Sequence, residues 1–168
     1  MPNLTPELNA LLTRIRELAA SAPSLDALEQ GIVEAIAGHL FYCNWTGFYM
    51  LDPDDQGMLL LGSFVGEPTP HTRIPVTEGI CGAAVALGET VVVDDVNADP
   101  RYLSCSIKTK SEIVVPIYAR GKVVGEIDID SHTTAAFTHS DRIFLEETAR
   151  IVGAFIERIQ VQASLMFQ

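Results

Sequence analysis

Residues 111–131 read SEIVVPIYARGKVVGEIDIDS, and the pattern within them decides the fold. Two alternating runs, 111–118 and 122–131, flank Ala119-Arg120-Gly121, which is the composition of an antiparallel hairpin. Directly opposed residues of such a pair share a face, so the loop length fixes which side chains meet. A three-residue loop closed by Gly121 in the left-handed region opposes Ile113 with Ile127, Val115 with Gly125 and Ile117 with Val123, and that face is wholly apolar. The other face then opposes Glu112 with Asp128 and Val114 with Glu126, and Asp130 follows two residues beyond Asp128. A loop one residue shorter or longer would set acids among the isoleucines and bury bare charge, at a cost on the order of several kcal/mol. The acidic face either meets water, as one face of many antiparallel sheets does, or gathers around a cation. Aspartate suits strands poorly, and a bound cation would give its recurrence at 128 and 130 a reason.

Outward from this hairpin, the chain reads as helices before strands and a helix after them. Thr5 as N-cap and Pro6 at the first helical position open a helix over 5–20, with Leu8, Leu11, Leu12, Ile15 and Leu18 on one face. Ser24 caps a second helix carrying Leu25, Leu28, Ile32, Ile36 and Leu40. Residues 41–51 and 58–65 predict a hairpin around Asp52-Pro53-Asp54-Asp55, and 66–78, with three prolines, predict a loop. A short small-residue helix from Gly79, a strand at 90–93 and a long polar loop at 94–110 follow. Thr138 and Asp141 form a capping-box-like start for the last helix, whose stripe is Phe144, Thr148, Ile151, Val152, Phe155 and Ile159.

The 168 residues, 48% of them hydrophobic, suit one domain with a sizeable core. A formal charge of -11 argues against nucleic acid and against an anionic membrane surface. With no long uncharged apolar run and no basic-then-apolar start, the chain is expected in the cytoplasm. The three cysteines are an odd number, unsuited to a disulfide framework, and no H-x-x-x-H or C-x-x-C spacing predicts a metal site. Cys105 lies in a loop with Lys108 and Lys110 nearby, a setting that favours thiolate. Cys81 begins a helix, which favours thiolate as well, although its small-residue surroundings suit buried packing equally. Trp45, Gly47 and Tyr49 alternate along the first strand, with Cys43 expected on their side. The two rings either pack in the core or form walls around a gap for a ligand.

Taken in order, Asn44-Trp45-Thr46-Gly47-Phe48-Tyr49, Arg73-Ile74-Pro75, Gly79-Ile80-Cys81-Gly82, Cys105 seven residues before Glu112, and Asp128-Ile129-Asp130-Ser131 resemble the free methionine-(R)-sulfoxide reductase family, enzymes built on a GAF domain. The resemblance spans roughly residues 25–160. It implies an α+β fold, a single GAF domain over 1–168, in which a central antiparallel sheet carries the N- and C-terminal helices on one face and a ligand pocket on the other. It further implies reduction of free methionine-(R)-sulfoxide, with Cys105 as the nucleophile that becomes a sulfenic acid. Glu112 and Asp130 would be the catalytic carboxyls, Glu112 and Asp128 would hold the ammonium, and Trp45 and Tyr49 would enclose the methyl end. No cofactor and no metal are implied. The implied partners are an external thiol reductant such as thioredoxin and, by analogy, a second copy in a homodimer. The family's resolving cysteine stands two residues before Arg-Ile-Pro, where this chain has His71. Cys81, Cys43 or an outside thiol would then resolve Cys105. The alternative is a sensory GAF domain that binds a small molecule without turning it over.

Overall fold

A computed structural model describes residues 3–104 and 106–168. Two helices come first, α1 (Pro6–Ser21) and α2 (Leu25–His39), and the side chains of Thr5 and Ser24 cap them by accepting from Leu8 N and Ala27 N. Each cap satisfies one of the otherwise orphaned donors of a first helical turn. Strands β1 (Trp45–Asp52), β2 (Asp55–Val65) and β3 (Arg73–Pro75) follow, then α3 (Gly79–Leu87), β4 (Val91–Val93), a 3-10 turn at Val96–Ala98, β5 (Ser111–Ala119), β6 (Lys122–Ser131) and α4 (His139–Met166). The strands form one antiparallel sheet in the order β3-β2-β1-β6-β5-β4. The capping box of α4 is complete, with Thr138 and Asp141 bonding each other reciprocally.

The two faces of the sheet carry separate apolar clusters. On one, Ile113, Ile117, Ile127 and Ile129 join Phe48 and the apolar stripes of α1, α2 and α4. On the other, Trp45, Tyr49, Leu59, Ile74 and Val114 pack with α3 and with Val96. The helices therefore sit on the apolar face, as the alternation requires.

The hairpin register differs from the sequence expectation by two residues. Glu112 opposes Asp130, Val114 opposes Asp128 and Val115 opposes Ile127, while Ala119 opposes Lys122. The turn is the two residues Arg120 and Gly121, both at positive φ (52° and 74°), which matches the twist of the strands it joins. A turn of that length alone would have put acids among the isoleucines. A bulge between Ile117 and Tyr118 inserts one β6 residue and restores the parity. The faces survive although the partners change.

Two further expectations are corrected. The proline-bearing loop at 66–78 holds β3, a three-residue edge strand against β2, an arrangement that tolerates Pro75 because an edge strand need not donate on its outer side. Residues 41–44 belong to a turn out of α2, with Cys43 N donating to Leu40 O at 2.9 Å. Cys43 thus escapes the alternation of β1 and lies in the helix-side core, away from Trp45 and Tyr49.

Candidate active site

Three neighbouring strands build a grid on the face opposite the long helices. Along β6, Glu126, Asp128 and Asp130 oppose Tyr49, Gly47 and Trp45 of β1 on one side. On the other side they oppose Pro116, Val114 and Glu112 of β5. Opposed residues share a face, so four carboxyl groups and two aromatic rings meet on one surface. None of the four acids is more than 6% exposed. The acidic face is therefore buried beneath α3 and the loops rather than solvated.

Burial in low dielectric penalises the charged form of an acid, and here it dominates. It pushes the carboxyl of Glu126 well above the usual range, with the Asp128 charge adding to it and the Cys81 thiol opposing. It raises Asp128 as well, against hydrogen bonds from Glu112 and Cys81 that favour the ionised form. Glu112 and Asp128 thus stand in hydrogen-bonding contact, with burial holding the Asp128 carboxyl above its usual range. The Cys81 thiol, in the first turn of α3, donates to Asp128 Oδ2 at 3.4 Å. Its burial, and the nearby charges of Asp128, Glu126 and Glu112, push its pKa well above the ordinary thiol value. The helix start, expected to favour thiolate, is outweighed.

Three of the four acids line two small cavities. One, of about 20 Å³, is lined by Glu112, Asp128, Tyr49, Cys81 and His71. The second, of about 40 Å³, is lined by Asp130, Trp45, Glu67, Thr109 and His132. Both fall far below the roughly 300 Å³ at the lower end of small-molecule sites, so this is a closed form of the pocket. Among the described residues, its cover comes from the 66–72, 100–104 and 106–110 segments. The Tyr49 hydroxyl donates to His71 O at 2.7 Å, Trp45 Nε1 donates to Glu67 O at 3.1 Å, and a ring nitrogen of His71 lies 2.9 Å from Ser104 O. A wider groove of about 590 Å³ runs between the 88–90 segment, β5 and α4. It has no cysteine or buried acid, so the candidate chemistry belongs to the acid face.

Of the residues expected at the site, Glu112, Asp128, Tyr49 and Cys81 come together, and Asp130 with Trp45 stands in the adjoining cavity. Cys105 lies outside the described residues. Cys43 stays across the sheet, its pKa pushed up by burial and by Asp141. The gap expected between Trp45 and Tyr49 is filled by the indole itself, which lies over Gly47 so closely that a Cβ there would come within 2.4 Å of it. Trp45 stacks on Phe64 at 5.5 Å and on Tyr49 at 6.1 Å between centroids. Sequence reasoning set Glu126 on the acidic face but gave it no role. The period-two alternation was its signal.

The GAF domain family matches residues 24–156 of this chain. The chain is 42% identical over 111 residues to the free methionine-R-sulfoxide reductase of Saccharomyces cerevisiae, covering 66% of this chain and 61% of that one. It is 43% identical over 106 residues to the Bacillus subtilis protein YtsP, covering 63% of this chain and 64% of the other. The matched part thus spans under two thirds of the length of these curated relatives. The X-ray structure of free methionine-R-sulfoxide reductase from Neisseria meningitidis, in complex with its substrate, aligns over 97% of this chain and 99% of that one, with a TM-score of 0.86 and 32% identity. This chain belongs to the GAF family and, within it, to the free methionine-(R)-sulfoxide reductase family.

Proposed function

We propose that this protein reduces free methionine-(R)-sulfoxide to methionine by thiol chemistry. The observation that carries the reading is the buried pair Glu112 and Asp128, hydrogen-bonded to each other in a cavity that Tyr49 and Cys81 also line, with the Asp128 carboxyl pushed up by burial. A sulfoxide sulfur accepts a thiolate only as its oxygen takes up a proton, and a carboxyl whose hold on its proton is strengthened by burial suits that donation. The remaining carboxylate charge, with Asp130, suits an ammonium group. In the proposed cycle the Cys105 thiol and the sulfoxide give methionine and a Cys105 sulfenic acid. A second thiol condenses with that acid, releasing water and leaving a disulfide, which two thiols of a reductant such as thioredoxin return to the reduced state.

Cys81 is the internal thiol that this reading assigns to the condensation, because it shares the cavity with Glu112 and Asp128, whereas the sheet separates Cys43 from them. The buried, unpaired state of both thiols suits a reducing compartment, and we assign the protein to the cytoplasm. Among the described residues no helix is long and apolar enough to cross a membrane. The exposed Val161, Leu165, Met166 and Phe167 at the end of α4 suit a homodimer.

With dithiothreitol as reductant, purified protein is expected to consume the R but not the S isomer, and Cys105→Ser to abolish turnover. Absence of turnover by the parent protein would end the enzyme reading. His71, standing where the family carries a resolving thiol, favours a second reading, a GAF domain that binds a methionine-like ligand without turnover. That reading predicts no consumption of either isomer, yet thermal stabilisation by the ligand that Asp128→Asn weakens.

A further inference from the structure

The thiol of Cys81 and the carboxylates of Glu112 and Asp128 present ligand atoms that all lie within 4.8 Å of one another, and all three side chains are buried. They come from α3, β5 and β6, so no ligand spacing is visible along the chain. The sulfur of Cys81 is already 3.4 Å from Asp128 Oδ2. In a tetrahedral zinc site, with Zn–S near 2.3 Å and Zn–O near 2.1 Å, a ligating sulfur and oxygen stand about 3.6 Å apart. The spacing found is that of one edge of such a site.

A second feature points to a ligand in the same place. Asp128 lines the 20 Å³ cavity, is 6% exposed, and its Oδ1 has no hydrogen-bond donor among the described residues. Glu126 lies against the Cys81 thiol with no exposed surface, and neither of its oxygens meets a donor at hydrogen-bonding geometry. Buried carboxyl oxygens without donors are costly unless a proton or a cation compensates them. The cavity exceeds the roughly 10–15 Å³ that a single small occupant requires, so a bare ion fits without opening the cover. Magnesium and calcium prefer all-oxygen shells, whereas one thiolate with two carboxylates suits a borderline cation.

We propose that Cys81, Glu112 and Asp128 form a binding site for a divalent cation of the zinc class. The cation takes the place of the thiol proton, and its charge offsets that of the carboxylates around it. Metal binding does not depend on the reductase reading, since turnover of metal-free protein tests that reading separately.

Cobalt(II) is the probe, because a cysteine thiolate bound to it gives a charge-transfer absorption in the near ultraviolet. Titration of the reduced, metal-free protein is expected to develop this absorption and saturate at one Co²⁺ per chain, and Zn²⁺ is expected to abolish it. Cys81→Ser should remove the absorption, while Cys43→Ser and Cys105→Ser should keep it. Glu112→Gln should leave the thiolate band but weaken Co²⁺ binding roughly 10-fold or more, which keeps the test usable if Cys81→Ser fails to fold. The proposal is overturned by Co²⁺ binding without a thiolate band, by a band that survives in Cys81→Ser, by one that disappears in Cys105→Ser, or by unchanged affinity in Glu112→Gln.

Discussion

Ile127 and Glu126 are consecutive residues of β6, both without exposed surface, and they serve opposite faces of the same sheet. Ile127 joins a core that three helices complete, where apolar area removed from water favours folding at about 25 cal/mol per Å². Glu126 lies on the face of a smaller cluster, where four acids are buried and neither Glu126 oxygen nor Asp128 Oδ1 meets a donor among the described residues. The first face holds the molecule together. The second opposes folding, and the energy stored in its desolvated carboxyls is available to a cationic ligand that relieves it.

The largest effect that tests this division comes from Ile127→Ala. Loss of a fully buried isoleucine is expected to cost about 2–5 kcal/mol, measured by urea denaturation, with methionine affinity of the folded fraction unchanged. Glu126→Gln should do the reverse. It removes an acid whose pKa burial raises, so its stability relative to the parent should grow as pH rises above the ordinary carboxyl range. Equal loss in both variants would show that both faces serve only the core.

Much of this division was legible in residues 111–131, because period-two alternation assigns a face whatever the partner strand. Partners were not legible. The bulge after Ile117 depends on how a two-residue turn reconciles its twist with the burial of the isoleucines, and no single residue announces it. β3 was hidden by prolines that only an edge position tolerates, and Cys43 was misplaced because a turn out of α2 interrupts the alternation before Trp45. Glu112 and Asp128 were assigned to the site through resemblance. That Cys81 donates to Asp128 is a contact 47 residues distant in sequence, which only the folded chain brings about.

The contrast between the faces is not complete, since Glu29 and Asp141 are acids buried on the helix side. Glu29 of α2 is 2% exposed. It stands over β2, where a Cβ at Gly62 would come within 2.6 Å of its Oε1. Burial, reinforced by the Asp26 charge, pushes its pKa up to about 7 from 4.5. The folded state therefore holds a proton that the unfolded state has released between those values, so stability falls as pH rises through this window. Glu29→Gln removes the dependence. Parent and variant should differ little in their ionisation energetics below about pH 4, and by pH 7 the variant should gain about 3 kcal/mol on the parent. Chemical denaturation at pH 4, 5.5 and 7 measures this gain, and parallel profiles for the two proteins would refute it.

The smallest effect is expected at the rim of the acid face, where Lys108 Nζ meets Glu67 Oε1 at 2.9 Å across the two covering segments. Both side chains are more than half exposed, so water and salt screen the pair. Its position invites a larger role, because the backbone oxygen of Glu67 also receives the indole of Trp45. That bond, however, uses the main chain and does not need the carboxylate. Lys108→Ala should therefore change methionine affinity by less than about fivefold, and even that difference should fade as salt approaches 1 M, where the Debye length is about 3 Å. A larger, salt-insensitive loss, measured by calorimetry, would mean that the cover is held shut by its exposed ion pair. The inner contacts of Tyr49 and His71 would then be secondary.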